Sequence, residues 1–257
     1  MPETEVVVLL CLAALVAGWV DAVAGGGGLI QLPALLVLLP GASPAQVLAT
    51  NKLSSVFGTA VAAGVYVRRV RPDLRTALPM AGTAVVGSAA GAGCASLLPE
   101  AVFRPLVLVL LVLVGAHTLR RPALGEVQAL RFTGARHLRT ALAAALAIGF
   151  YDGIFGPGTG SFLAFALVSL LGYSFVQASA KARIVNLATN LGALAVFVPQ
   201  GAPIYGLGLA MAACNVVGGR LGAGTAISRG SGFVRVVFLG VVAALIVRLT
   251  VDVIRGT

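Results

Sequence analysis

Asp21-Ala22-Val23-Ala24-Gly25-Gly26-Gly27-Gly28-Leu29-Ile30-Gln31 and Asp152-Gly153-Ile154-Phe155-Gly156-Pro157-Gly158-Thr159-Gly160-Ser161 are one passage met twice, 131 residues apart. Asp21 lands on Asp152, Gly25 on Gly156 and Gly27 on Gly158. Outward from there the register holds without a gap: Gly41 on Gly172, Ser43 on Ser174, Gln46 on Gln177, Lys52 on Arg183, Met80 on Met211, Gly87 on Gly218, Arg104 on Arg235. Glycines alone can match by chance in a Gly-rich chain. Acidic, amide and basic positions in one register do not. In a strongly apolar chain such a duplication points to a transporter with its substrate site between two related halves.

The chain is 59% hydrophobic and 10% charged, with a mean hydropathy of +1.02, which excludes an ordinary soluble domain. Ten apolar stretches are read, at 6–23, 24–40, 45–67, 74–98 and 101–119, then 138–154, 157–171, 177–198, 204–227 and 233–251. Most approach the roughly 20 residues that cross a hydrocarbon core. The stretches opening at Ala24 and Pro157 are shorter, begin in glycine and occupy equivalent places, the pattern of broken or re-entrant helices that line a binding site. The expected fold is an all-α polytopic membrane protein, an inverted repeat of about five segments each. Residues 1–119 form the first repeat, 120–137 a basic cytoplasmic linker and 138–257 the second repeat. Met1–Glu5 carries two Glu and no basic residue, so 6–23 reads as a retained segment rather than a cleaved signal.

The net charge of +10 is concentrated in two loops, Arg68–Arg75 and Arg120–Arg139. Basic loops beside spans mark the cytoplasmic face, and nucleic acid is not expected as a partner. In the second half Pro199–Gly206, equivalent to the first basic loop, has no charge, while Arg220, Arg229 and Arg235 surround Ile227–Gly232. The bias therefore swaps sides between halves, as an inverted duplication requires. Cys11, Cys94 and Cys214 are isolated and read as packing residues, and His117 and His137 as interface residues. No metal or cofactor motif occurs.

Four consecutive glycines hold a helix poorly, at roughly 1 kcal/mol each relative to Ala. A break there restarts a helix whose N-terminus offers free N–H donors and partial positive charge to an anion. Gly25, Gly26, Gly27 and Gly28, with Gly156, Gly158, Thr159, Gly160 and Ser161, are accordingly candidate substrate-binding positions. Close helix packing is the alternative, and two copies each preceded by Asp favour the site reading.

The second constellation is Ala49-Thr50-Asn51-Lys52 against Ala180-Lys181-Ala182-Arg183, with Asn186 and Asn190 beyond. Lys52 and Lys181 are the only lysines. A charge at mid-membrane costs roughly 2.5–3.5 kcal/mol on insertion scales, so such a residue needs a reason. Lys181 reads as snorkelling to the inner interface. Lys52 falls on the outer half, where the positive-inside rule does not explain it. Lys52 and Arg183 are therefore expected to neutralise an anion, with Thr50, Asn51, Asn186, Asn190 and Gln31 as neutral donors. Asp21 and Asp152 are read either as proton-coupling groups or as caps on the glycine turn, with the local role favoured. Gln46 and Gln177 are read as pore-lining or interhelical groups, and Gly87…Gly91 and Gly218…Gly222 as close helix contacts.

These motifs resemble the TauE/SafE family of sulfite-exporter-like permeases, in its bacterial YfcA-like branch. The resemblance is carried by Asp21–Ile30 with Leu32-Pro33-Ala34-Leu35 and Leu48–Leu53, then Gly149–Gly153, Phe155–Phe162, Asn186 and Thr189–Leu194. It spans both halves. It implies a bacterial inner-membrane permease of two repeats associated with export of sulfite or organosulfonates. One departure is Arg183, where the family's pattern commonly has Lys; arginine keeps the charge but prefers bidentate oxyanion contact. The expected function is a secondary transporter exporting a small oxyanion, not an enzyme, with a passive channel or a carrier of another small carboxylate or sulfur compound as alternatives. The expected partners are a small anionic substrate and the lipid bilayer, with a homodimer left open.

Overall fold

The computed structural model describes residues 3–94 and 128–255. They form helices α1 (Thr4–Ala24), α2 (Gly28–Leu38), α3 (Pro44–Val70), α4 (Leu74–Cys94), α5 (Gly134–Ile154), α6 (Thr159–Ser169), α7 (Phe175–Phe197) and α8 (Tyr205–Arg255), with no strand among the described residues. The described residues are thus all-helical, as a membrane protein of this composition should be. The expected segment at 101–119, its turn at Pro99–Glu100, the loop arginines Arg120 and Arg121, Arg104 and His117 lie outside the described residues.

The 131-residue offset recurs in the helix limits. α2 and α6 start and end at equivalent positions, α3 and α7 start at equivalent positions, and so do α4 and α8. Sequence chemistry fixes these starts. Ser43 accepts from the Gln46 amide at 3.3 Å while Gln46 Oε1 accepts from the Ser43 amide at 2.9 Å, and Pro44 occupies the first helical position, a capping box. Ser174 caps α7 in the same way through the Gln177 amide. Gln46 is therefore a local cap rather than a pore group, whereas the Gln177 side chain does reach across to the Val70 carbonyl, at 3.4 Å.

The two segments expected as separate spans, 204–227 and 233–251, are the two helical stretches of α8, parted at Gly230, whose φ 76° and ψ −173° are not helical. α1 and α4, 21 residues each, are long and apolar enough to cross a bilayer. α2 and α6 have 11 residues each, about 16 Å of helix, and cannot span a hydrocarbon core of about 30 Å.

The halves interlock. α1 lies along α8 and α5 along α4, while α3 packs on α8 and α7 on α4. Small residues permit this closeness. Gly87 and Gly91 of α4 sit against the α5 backbone at Leu146 and Phe150, and Gly218 and Gly222 of α8 against Leu15 and Trp19 of α1. A Cβ at any of the four would overlap a backbone carbonyl oxygen, the small-residue packing of membrane helices. Cys11 and Cys214 are free thiols on the facing helices α1 and α8.

Candidate functional site

Both helix breaks are built by backbone that only glycine adopts easily. α1 ends at Gly25 (φ 90°), whose amide bonds the Asp21 carbonyl at 2.8 Å, and α2 restarts at Gly28. α5 ends at Ile154, and the chain passes Gly156 (φ 85°) and Gly158 (φ 79°) before α6 starts at Thr159. The two breaks touch. Ser161 donates through its amide to the Gly25 carbonyl at 3.1 Å and through its hydroxyl to the Ala24 carbonyl at 2.8 Å. A Cβ at Gly25 would overlap the backbone of Gly160 and Ser161, and Gly28 faces Pro157. The start of α6 is therefore fastened to the end of α1.

The charged residues cross between halves at this junction. Lys52 on α3 holds Asp152 of α5, Nζ to Oδ2, at 2.5 Å. Arg183 on α7 holds Asp21 of α1, Nη1 to Oδ2, at 2.7 Å. The second pair is the first displaced by 131 residues with the halves exchanged. Lys52, Arg183 and Asp152 are all buried, and only Asp21 retains some exposure, 17% of its side chain. Each carboxylate has a second duty. Asp21 Oδ1 accepts from the Gly27 amide at 3.4 Å, and Asp152 Oδ1 from the Thr159 hydroxyl at 2.7 Å. The turn-capping and charge-pairing roles of the two aspartates thus coexist.

The neutral candidates divide. Gln31 is buried and accepts from Asn215 Nδ2 at 3.0 Å, an interhelical bond whose partner the sequence reading did not single out. Thr50 Oγ1 accepts from the Ile204 amide at 3.0 Å and so caps the start of α8. Asn186 accepts from the Thr189 hydroxyl at 3.3 Å, within its own helix. Asn51 and Asn190 are buried, and Asn51 Oδ1 has no partner among the described residues.

Lys181, expected to snorkel, reaches the loop that precedes α4. It is fully buried, donating to the Asp73 carbonyl at 2.6 Å, with the Asp73 carboxylate 3.7 Å away and the Tyr173 ring 4.8 Å beneath. His137, expected at an interface, is buried too, its Nε2 2.9 Å from the Tyr173 hydroxyl. Asp73 itself caps α4 through the Arg75 amide and Thr76 hydroxyl. That hydroxyl, with Lys181 and backbone amides, holds its carboxyl below the usual carboxylate range against a smaller effect of burial. A cavity of about 680 Å³ lies elsewhere, between α3 and α8, lined by Arg68, Arg69 and Arg220 among others, and contains none of the candidate site residues.

Comparison with known proteins places the chain in a family. The sulfite exporter TauE/SafE family matches residues 10–249. The chain belongs to that family. A probable membrane transporter protein, ORF9, of a Sinorhizobium species is 36% identical over 248 residues, covering 95% of this chain and 92% of that protein. The probable membrane transporter YfcA of Escherichia coli strain K12 is 35% identical over 244 residues, 95% of this chain and 89% of its own. A probable membrane transporter of Haemophilus influenzae is 35% identical over 228 residues, 89% and 88% of the two chains. No solved structure matches. This TauE/SafE protein is therefore a membrane transporter by family.

Proposed function

We propose that this TauE/SafE protein is a secondary transporter that exports a small oxyanion, sulfite or an organosulfonate, across the bacterial inner membrane as a multi-pass carrier. The halves are inverted repeats rocking about the junction of the two glycine breaks. Support comes foremost from the crossed ion pairs, Lys52–Asp152 and Arg183–Asp21, each joining one half to the other. Buried charge in a membrane protein marks substrate or ion pathways. Here both cationic groups lie against the glycine break that leads into α6, Lys52 beside Gly156 and Arg183 beside Gly160, and the start of α6 offers a partial positive charge that also favours an anion. A rocking motion must rearrange the contacts between the halves at this junction, so an anion bound there biases which half-to-half arrangement is preferred. Export is itself favoured by an inside-negative potential, by roughly 2.3 kcal/mol per charge per 100 mV, so ion coupling is not required.

The test is flux of labelled sulfite and of a short sulfonate in proteoliposomes, for wild type and for Lys52→Ala with Arg183→Ala. Saturable flux in the wild type, lost in the double variant, supports the carrier and its site. Flux that never saturates identifies a channel instead. Absence of flux for both anions in folded protein removes the substrate assignment.

A further inference from the structure

The two crossed ion pairs are equivalent in sequence but not in what they leave over. The Lys52 pair is closed: its ammonium sits on Asp152 Oδ2, and the other carboxylate oxygen is taken by the Thr159 hydroxyl. Arg183 is different. It is fully buried, Asp21 occupies Nη1 alone, and both Nε and Nη2 are without a partner among the described residues. Nε–H and Nη2–H are the two parallel donors along one edge of a guanidinium, spaced to hold two oxygens of one anion. Buried donors left unpaired are costly, and a fork of two such donors on one side chain is a recognition feature rather than packing.

The guanidinium lies against the first turn of α6. A Cβ at Gly160 would come within 2.5 Å of Nη2 and 3.0 Å of Nη1, so glycine there is what lets the arginine reach the helix start. The formal charges of Asp21, Asp152, Lys52 and Arg183 cancel. The starts of α2 and α6 add about half an elementary charge each, and the ends of α1 and α5 at the same junction subtract as much, so the unpaired donors of the arginine, not a surplus of charge, are what an anion would meet here.

Resting on the oxyanion-transport reading, we propose that the transporter holds one oxyanion per chain, bound bidentately by Nε and Nη2 of Arg183 at the start of α6. The Lys52–Asp152 pair is its closed counterpart, which holds the halves together without touching the anion. Arg183 is thereby the residue that favours oxyanions over halides, because two oxygens of one anion meet the two parallel N–H donors in line, whereas one spherical ion meets both only at a bent angle. Asp21, the more exposed of the two aspartates, is the carboxylate that shares the guanidinium with the substrate.

The experiment is calorimetric titration of the purified full-length protein with methanesulfonate and, separately, with chloride. Wild type is compared with Arg183→Lys, which keeps the charge and the Asp21 partner but loses the fork. The combined Arg183→Gln/Asp21→Asn variant leaves no unpaired buried charge and serves should the first not fold. The expected result is one methanesulfonate per chain in the wild type. In either variant its affinity falls by about tenfold or more, while chloride changes less than about threefold. Two anions per chain, or methanesulfonate affinity that survives both variants, overturns this assignment and leaves the transport reading intact. No anion binding to folded wild type overturns both.

Discussion

Lys52 and Asp152 lie a hundred residues apart in the chain, yet their Nζ and Oδ2 atoms are 2.5 Å apart in a buried ion pair. Because each partner belongs to a different half, this pair is a tie between halves, and its energetics follow from its burial. Removing one partner of a buried pair leaves an uncompensated charge, whereas replacing both with apolar groups is often neutral.

Lys52→Met alone should therefore destabilise the protein by about 3–5 kcal/mol. Lys52→Met with Asp152→Leu should recover most of that loss, since the Thr159 hydroxyl keeps its second acceptor, the Gly156 carbonyl at 2.9 Å. Denaturant unfolding of the three proteins in one detergent checks this. Equal stability of the single and double variants would mean that the pair is not isolated from water.

The glycine breaks make a sharper distinction than composition suggests. Gly25 has φ 90° and its missing Cβ would overlap Gly160, whereas Gly93 on α4 is helical with open space around it. Gly25→Ala should lose at least about 1–3 kcal/mol from backbone strain alone, with further loss from overlap. Gly93→Ala should gain about 0.4–1 kcal/mol by reducing unfolded-state entropy. Thermal melts of the two variants beside wild type measure both signs.

Asp73 supplies a pH dependence outside the membrane-spanning segments. The Thr76 hydroxyl, with Lys181 and amides nearby, lowers its folded pKa, so the unfolded chain binds the proton more readily. The stabilisation is then present above the unfolded value of about 3.9 and lost as pH falls through the lowered folded value. Asp73→Ala should cost about 1 kcal/mol at neutral pH through the lost cap. The gap in melting temperature between it and wild type should narrow as pH drops below about 4. A gap constant from pH 3 to 7 would show that the cap works without its charge.

Much of the fold was legible because duplication carries local signals twice. Ser43 and Ser174 are matched caps, with Gln46 closing a capping box at the first only, and the helix starts they specify recur at the same offset. The glycine runs marked both helix breaks. The pairing of Lys52 with Asp152 and of Arg183 with Asp21 was not legible, because residue type reports a charge and not which half supplies its partner. Asn215 and Tyr173 escaped notice for a related reason: neither lies in a matched motif, and each acquires its role only through contact with Gln31 or with Lys181 and His137. The acceptor of Lys181 was not legible either, because it is a main-chain carbonyl on a distant loop, invisible in a list of side chains.

That same lysine has a counterpart whose chemistry predicts a local result. Thr50 precedes Lys181 by 131 residues, and Asp73 precedes Ile204 by the same offset. Lys181 holds the Asp73 carbonyl before α4, and Thr50 holds the Ile204 amide before α8. Each half thus fastens the loop that leads into the other half's last described helix, by a charged contact at one junction and a neutral one at the other. Thr50→Val keeps the shape but removes the acceptor, leaving the Ile204 amide unpaired at about 1–3 kcal/mol. Thr50→Ser restores it. Hydrogen exchange of the 204–208 peptide should accelerate in the valine variant and stay near wild type in the serine variant. The junction at Asp73, held by its own lysine, should exchange at the wild-type rate in both. Equal acceleration at the two junctions would mean that they open as one unit, and the separate fastening argued here would fail.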